Sequence, residues 1–206
     1  MSIVKLNNNG VKNATAFGSI TTSGAMTFIK KLTASSSATL SFVDGSSSVV
    51  LDNTYKEYLF TFNNMHPASD AVNFVFNGSI DSGSNYNVTK TTSFFNAYHF
   101  ENDSSNALTY NASQDLAQST DFQILEDSVG NDNDQSCAGY LHIFNPSSTT
   151  FVKHFISRNN RSFSGNYTSE NHVAGYFNTT SAIDAVQFKF SSGNIDAGDI
   201  CLYGIN

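Results

Sequence analysis

Charged side chains are scarce in this chain of 206 residues, because Asp, Glu, Lys and Arg make up only 13% of it, about half the usual share. The balance is acidic, with a formal net charge of -7. Nucleic-acid binding needs a basic stripe that neutralises phosphates, and the only basic pairs are Lys30 with Lys31 and Arg158 with Arg161. We therefore expect no nucleic-acid partner and a surface covered by Ser, Thr and Asn.

Cysteine is also rare, with two residues in the chain. Two cysteines in a chain of this length do not form a disulfide framework. Cys137 and Cys201 are therefore interpreted as small buried thiols, with a disulfide between them as the open alternative.

Metal-binding patterns are missing as well. The five histidines are scattered, and His142 and His154, on adjacent predicted strands, would need further ligands. The oxygen-rich loop at 131–134 lacks the Gly and the distal Glu of an EF-hand, so a loosely held Ca²⁺ at Asp132 and Asp134 stays an alternative. We predict no metal and no cofactor.

Motifs for catalysis do not appear either. The glutamates at 57, 101, 126 and 170 lie in different settings, whereas glycoside hydrolysis needs two carboxylates across a cleft. There is no Gly-x-Ser-x-Gly elbow and no Gly-rich phosphate loop. The sequence therefore predicts a protein that is not an enzyme and has no catalytic residues.

Long apolar runs are absent from the whole chain. No stretch approaches the ~20 apolar residues of a membrane span, and the N-terminal residues lack the apolar core of a signal peptide. We expect a soluble protein that is made in the cytoplasm and has no membrane partner.

Aromatic residues, in contrast, are plentiful, with 18 Phe and 9 Tyr. Many short segments alternate apolar and polar residues, and small polar turns separate them. Three segments share this pattern, with their apolar members at Tyr58, Phe60 and Phe62; Val72, Phe74 and Phe76; and Val186, Phe188 and Phe190. The pattern predicts an all-β fold of antiparallel sheets, a sandwich or a barrel, with one domain over 26–206.

Three segments are harder to interpret from pattern alone. Residues 115–125 fit a short helix or a strand. Residues 157–170 are interpreted as a long polar loop, and residues 178–206 as two strands that close the fold as a hairpin.

Candidate contact residues lie in two parts of the chain. Residues 1–25 are interpreted as an extended N-terminal arm that contacts a neighbouring subunit through Val4, Leu6 and Phe17, with a disordered leader or a short edge strand as alternatives. Aromatic residues in the predicted loops are further candidates for binding a partner or a sugar, with a place in the core as the alternative. These are Tyr86, Tyr98, Tyr110, Phe163 and Tyr167.

Three longer strings resemble a known group of proteins. They read TYKEYLFTFNNMHPASDAVNFVFNGSIDSGSNYN at 54–87, LHIFNPSSTTFVKHFISRNN at 141–160 and AGYFNTTSAIDAVQFKFSSGNIDAGDICLYGIN at 174–206. The chain resembles, over about residues 26–206, small virion proteins of marine bacteriophages. This resemblance implies a jelly-roll-like β-sandwich.

The role that the resemblance implies is structural. The protein would be a capsid decoration (cement) protein on the virion surface, synthesised in the host cytoplasm. Its partners would be the major capsid protein and further copies of itself in a homo-oligomer. The alternative is a tail fibre or receptor-binding module that contacts tail proteins and a host surface glycan or protein. The group supplies no catalytic residues.

Overall fold

A computed structural model describes residues 25–163 and 165–206. Val4, Leu6 and Phe17 of the predicted arm lie outside the described residues. No helix long and apolar enough to cross a membrane occurs over the ranges described. The chain there forms twelve strands: β1 Met26–Thr33, β2 Leu40–Val43, β3 Glu57–Pro67, β4 Val72–Ser79, β5 Lys90–Phe100, β6 Asn106–Tyr110, β7 Gln123–Val129, β8 Cys137–Phe144, β9 Lys153–Phe163, β10 Tyr167–Phe177, β11 Ala185–Phe190 and β12 Ile195–Ile205.

The strands form two antiparallel sheets packed face to face. The larger sheet has eight strands in the order β1-β12-β3-β8-β9-β10-β5-β6, and the smaller has four in the order β2-β11-β4-β7. Every paired neighbour runs antiparallel. The predicted all-β antiparallel sandwich is therefore confirmed.

The core between the sheets is built from phenylalanine. Tyr58, Phe60 and Phe62 on β3 are buried, as their alternation predicts. Phe188 on β11 lies at the centre of this core, with its ring centroid 5.2–6.3 Å from those of five other Phe residues. The rings pack in edge-to-face, tilted and stacked arrangements, and aromatic side chains of this size bury a large apolar area each.

The interpretation of residues 157–170 as a loop is wrong. These residues are the end of β9, a tight turn and the start of β10, which pair along their whole length. The hydrophobic alternation stops there because the inward side chains, including Asn159 and Arg161, are polar and yet buried. They face polar groups of β7 instead of the aromatic core, so period-two hydrophobicity does not reveal the strands.

The C-terminal segment also differs from its prediction. Its two strands, β11 and β12, do not form a hairpin but belong to different sheets. Strand β11 lies between β2 and β4, and β12 lies between β1 and β3. The turn that follows Phe190 therefore carries the chain across the sandwich. Alternation cannot separate the two cases, because either connection leaves one face of each strand apolar.

The remaining segments can be described briefly. Tyr86 precedes β5, which begins at Lys90, and residues 101–136 contain β6 and β7. Residues 115–125, which fit a short helix or a strand, contain the start of a strand, because β7 begins at Gln123. Cys137 and Cys201 are buried free thiols, as interpreted.

A buried lysine lies at the start of β5. Lys90 is fully buried, and its Nζ donates hydrogen bonds to the Asn77 side-chain oxygen (2.7 Å) and to the Val88 carbonyl (2.8 Å). Burial away from water lowers the pKa of Lys90 from 10.5 to about 7. A neutral amine is therefore the stable form of this side chain above that pH.

The first prediction concerns the aromatic core. Phe188→Ala should lower the free energy of unfolding by about 3–5 kcal/mol and Leu202→Ala by about 2–5 kcal/mol, because each leaves a cavity among fully buried neighbours. Urea unfolding measures both effects. Phe151→Ala is the control, since Phe151 is 69% exposed. Unchanged melting temperatures for both core variants would contradict this packing.

The second prediction concerns Lys90. Between pH about 7 and about 10 the folded protein has released the Lys90 proton, whereas the unfolded chain still holds it. The unfolded state then binds more protons, so stability rises with pH, by on the order of 1 kcal/mol per pH unit. Lys90→Met should flatten this rise, and Lys30→Met, at a partly exposed position, should not. Chemical denaturation at each pH measures the slope, and identical slopes in all three proteins would refute the assignment.

Candidate functional site

The solvent-facing side of the eight-stranded sheet, which we call the outer face, carries several exposed apolar side chains. Its strand register identifies its members, because residues that pair across strands point to the same side. Phe28 pairs with Tyr203, which alternates with buried Leu202, and Tyr110 pairs with Phe95, which alternates with buried Phe94.

Most of the exposed large apolar side chains collect on this face. Nine such residues occur in the described ranges, and seven of them belong to the outer face, with 36–72% of their surface exposed. The seven are Met26, Phe28, Phe95, Leu108, Tyr110, Tyr140 and Ile156. Single apolar residues are ordinary on a surface, but seven of nine on one side of one sheet make the outer face the first candidate for an interaction surface.

The charged groups of the outer face are paired with one another. Arg158 contacts Glu170, Lys31 lies 3.2 Å from Asp199, and His142 Nε2 lies 3.0 Å from the Glu57 carboxylate. The hydrogen bond from Arg158 holds the pKa of Glu170 below its usual value. Hydrogen bonds from the Thr33 hydroxyl and, to a smaller extent, from Lys31 lower the pKa of Asp199. The outer face therefore offers little unpaired charge to a partner.

A shallow depression of about 600 Å³ lies on the outer face over β9 and β10. Ala174, which points to this face, adds only a methyl group to the floor of the depression. Its walls include Phe144, Ile156 and Tyr176. A Cβ atom on Gly175 would lie 2.5 Å from the Thr91 carbonyl oxygen, so the close approach of β10 and β5 requires glycine at that position.

A second surface lies at the ends of β9, β10 and β5, on the opposite side of the same sheet. Phe163, Tyr167 and Phe100 pair in one row across these strands. Adjacent ring centroids in the row are 4.9 Å and 4.7 Å apart. The ring centroid of Tyr98 lies 5.9 Å from that of Phe100 and 6.0 Å from that of Tyr167. We call these four residues the aromatic tip.

The aromatic tip lies on the side of the large sheet that faces the four-stranded sheet. Its residues are two positions from buried residues of the same strands and therefore point to the same side. Phe163 lies two residues after buried Arg161, and Tyr167 two residues before buried Ser169. The pairing of β10 with β5 and β9 has no bulge that would reverse this parity. The tip and the outer face are therefore on opposite sides of the sheet.

Arg161 lies directly behind the aromatic tip and is only 3% exposed. Its Nε lies 3.1 Å from Glu126 Oε1, its Nη2 lies 3.1 Å from Asp127 Oδ1, and its Nη1 donates to the Ser128 carbonyl at 2.6 Å. The guanidinium carbon is 4.8 Å from the ring centroid of Phe163, at the distance of a cation–π contact. These contacts with β7 hold Arg161 of β9 in place, and Arg161 in turn packs against the aromatic tip.

A further amide completes this buried network. Asn171 Nδ2 donates to Glu126 Oε1 at 2.7 Å and to Asp127 Oδ1 at 3.0 Å. Burial raises the pKa of Glu126 well above its usual value, and the Arg161 charge opposes that rise. Because Glu126 is fully buried, a substrate cannot reach it in this arrangement, and the network acts as a structural support.

Two polar hollows border the aromatic tip. One, of about 380 Å³, is lined by Phe100, Glu101, Asn102, Ser104, Gly165 and Asn166. The other, of about 290 Å³, is lined by Phe100 and Tyr167 of the aromatic tip and also by His99, Glu101 and Thr168. Both therefore place hydrogen-bonding groups beside the rings.

The structure brings together some of the predicted residues and separates others. Phe163 and Tyr167 are neighbours, whereas Tyr110 lies on the outer face. The prediction did not include Phe100, which shares the alternation of Tyr98 but reaches the tip only through strand pairing. His142 packs at a tilt against Phe144, and His154 packs at a tilt against Tyr176. Within the ranges described, no three or more His, Cys, Asp or Glu residues group as metal ligands do.

Comparison with known proteins identifies no significant match. No model of a known protein family matches the chain, and no curated protein and no solved structure matches it significantly. Function is therefore inferred from the fold and from the two surfaces.

The third prediction concerns the network behind the tip. Arg161→Met should lower the free energy of unfolding by about 3–5 kcal/mol, because it leaves the fully buried Glu126 and the partly buried Asp127 without their cation. Adding Glu126→Gln should restore part of the loss, since it replaces one of these acids by a neutral amide. Arg158→Met, at the exposed pair with Glu170, should have little effect. Denaturant titration of the variants tests this, and equal stability of the two arginine variants would contradict the buried network.

Proposed function

We propose that this protein is a non-enzymatic structural component of a bacteriophage virion, a capsid decoration protein that binds the head through its outer face. The observation that supports the proposal is the concentration of exposed apolar side chains on that face. A protein that works alone in water gains nothing from such a surface, whereas burial against a partner removes it from water.

The strand order supports this role. Without β5, β6, β9 and β10, the remaining strands divide between the sheets as β1-β12-β3-β8 and β2-β11-β4-β7, and each connection except that from β4 to β7 crosses between the sheets. We interpret this order as a jelly roll, an architecture found in viral capsid domains and in lectins. The four additional strands extend one edge of the large sheet and so widen the outer face.

The size of the outer face suits a stable interface. Eight strands spaced at ~4.8 Å make a sheet about 34 Å wide, and its strands, which have 5 to 11 residues, are on average about 30 Å long. The face therefore covers on the order of 1,000 Å². A standard protein interface takes about 800 Å² from each partner.

The paired charges favour contacts that do not depend on ionic strength. Because Arg158, Lys31 and the other charged groups of the outer face already have partners, docking on the major capsid protein would rely on apolar burial. Such binding resists salt better than binding between exposed charges does. The N-terminal residues Val4, Leu6 and Phe17 remain the expected contacts between neighbouring copies in a homo-oligomer.

The fourth prediction tests the docking face. Ile156→Asp and Phe28→Asp should each weaken binding to heads stripped of this protein at least tenfold, because a buried interface then holds an unpaired charge. Both side chains are exposed in the free protein, so the fold should be retained. Phe151→Asp, at an exposed position that is not on the outer face, is the matched control. Sedimentation of heads with added protein measures binding.

The location on the particle supplies the second readout. Decoration requires many copies spread over the head, which protein staining of purified virions and electron microscopy can count. A handful of copies confined to the tail, or unchanged head binding by both outer-face variants, would overturn the proposal.

A further inference from the structure

We propose that the aromatic tip, with the polar hollow beside it, is a binding site for a neutral pyranose unit of a glycan. The site is distinct from the outer face, because the tip lies on the opposite side of the sheet. A protein docked through its outer face would keep the tip accessible. The inference goes beyond the decoration role and does not require it.

The rings supply the stacking platform. Phe163, Tyr167 and Phe100 form a continuous row over three adjacent strands, roughly 10 Å from the first strand to the third. All three are partly exposed. One face of a pyranose ring presents C–H groups with partial positive charge, and the electron-rich face of an aromatic ring attracts them.

The hollow supplies the hydrogen bonds that a sugar needs. Asn102, Ser104 and Asn166 offer amide and hydroxyl groups, and the Glu101 carboxylate can accept from two neighbouring hydroxyls. Phe100 lines the same hollow, so one ligand can stack and form hydrogen bonds at once. Its volume of about 380 Å³ falls in the range of small-molecule sites.

The local charge selects neutral sugars. Glu101 and Asp103 make the loop beside the tip acidic, and the nearest guanidinium, that of Arg161, is already held by Glu126 and Asp127. An acidic sugar or a phosphate would meet repulsion without a compensating cation. The same reasoning disfavours nucleic acid, whose bases would stack on the rings but whose phosphates need basic groups.

The platform is ordered before a ligand arrives. Arg161 is fixed by three groups of β7 and its guanidinium lies against Phe163 and Tyr167. The Glu101 backbone N–H donates to the Asn166 carbonyl at 2.9 Å, which joins the loop after β5 to the turn between β9 and β10. Binding therefore pays less entropy for ordering side chains and loops than it would at a flexible site.

The test applies the purified full-length protein to a printed array of neutral and acidic oligosaccharides, followed by titration calorimetry with the best soluble ligand. We expect neutral glycans to bind in preference to acidic ones. Tyr167→Ala should weaken that binding at least tenfold. Tyr110→Ala, which removes an exposed tyrosine from the outer face, should leave it unchanged.

A milder variant guards against misfolding. Asn166 has a positive φ of 55°, a conformation that glycine adopts readily. Asn166→Gly should therefore keep the turn and the melting temperature while weakening glycan binding severalfold. Several results would overturn the inference: no neutral glycan bound, acidic glycans preferred, capture of a host surface protein with a blank array, or full affinity in folded Tyr167→Ala and Asn166→Gly. None of these results depends on where the protein sits on a virion.

Discussion

The ion pairs between Arg161 and the carboxylates of β7 are the constraint on which the extended sheet depends. They join the small sheet to strands that reach beyond the phenylalanine core, at a point where β7 contributes the acidic side chains of Glu126 and Asp127. A buried ion pair adds little net stability when compared with apolar packing. Its value lies in geometry, because two carboxylates and a backbone carbonyl leave the guanidinium one position, and the rings of the aromatic tip lie against it.

The same network explains how far the fold could be predicted. Strand β3 was recognisable because Tyr58, Phe60 and Phe62 contribute to an apolar core, so burial and hydrophobicity coincide. The second half of strand β9 was not, because Asn159 and Arg161 are buried through hydrogen bonds and ion pairs that join residues distant in sequence. A pattern that scores hydrophobicity treats such a strand as a polar loop. Buried polar strands of this kind become visible only when the partner strand is known.

Prediction of the candidate surfaces from the sequence was limited for a different reason. Alternation tells which residues share a face of a strand, but it does not tell which face meets the core. Met26 and Phe28 share a face, as their spacing indicates, yet that face is the solvent side of an edge strand. Phe163 and Tyr167 were identifiable as candidates one by one. Their neighbour Phe100 comes from a strand far earlier in the chain, and only register brings the three into one row.

The two surfaces follow from one property of the large sheet. Successive side chains of a strand point to opposite sides, so β9 presents Ile156 to the outer face and Phe163 to the side of the tip. A four-stranded partner is too narrow to cover an eight-stranded sheet, and the uncovered end of the inner side is where the aromatic tip lies. The added strands therefore do two things at once: they widen the outer face, and they create an inner-side end that the small sheet leaves open to ligands.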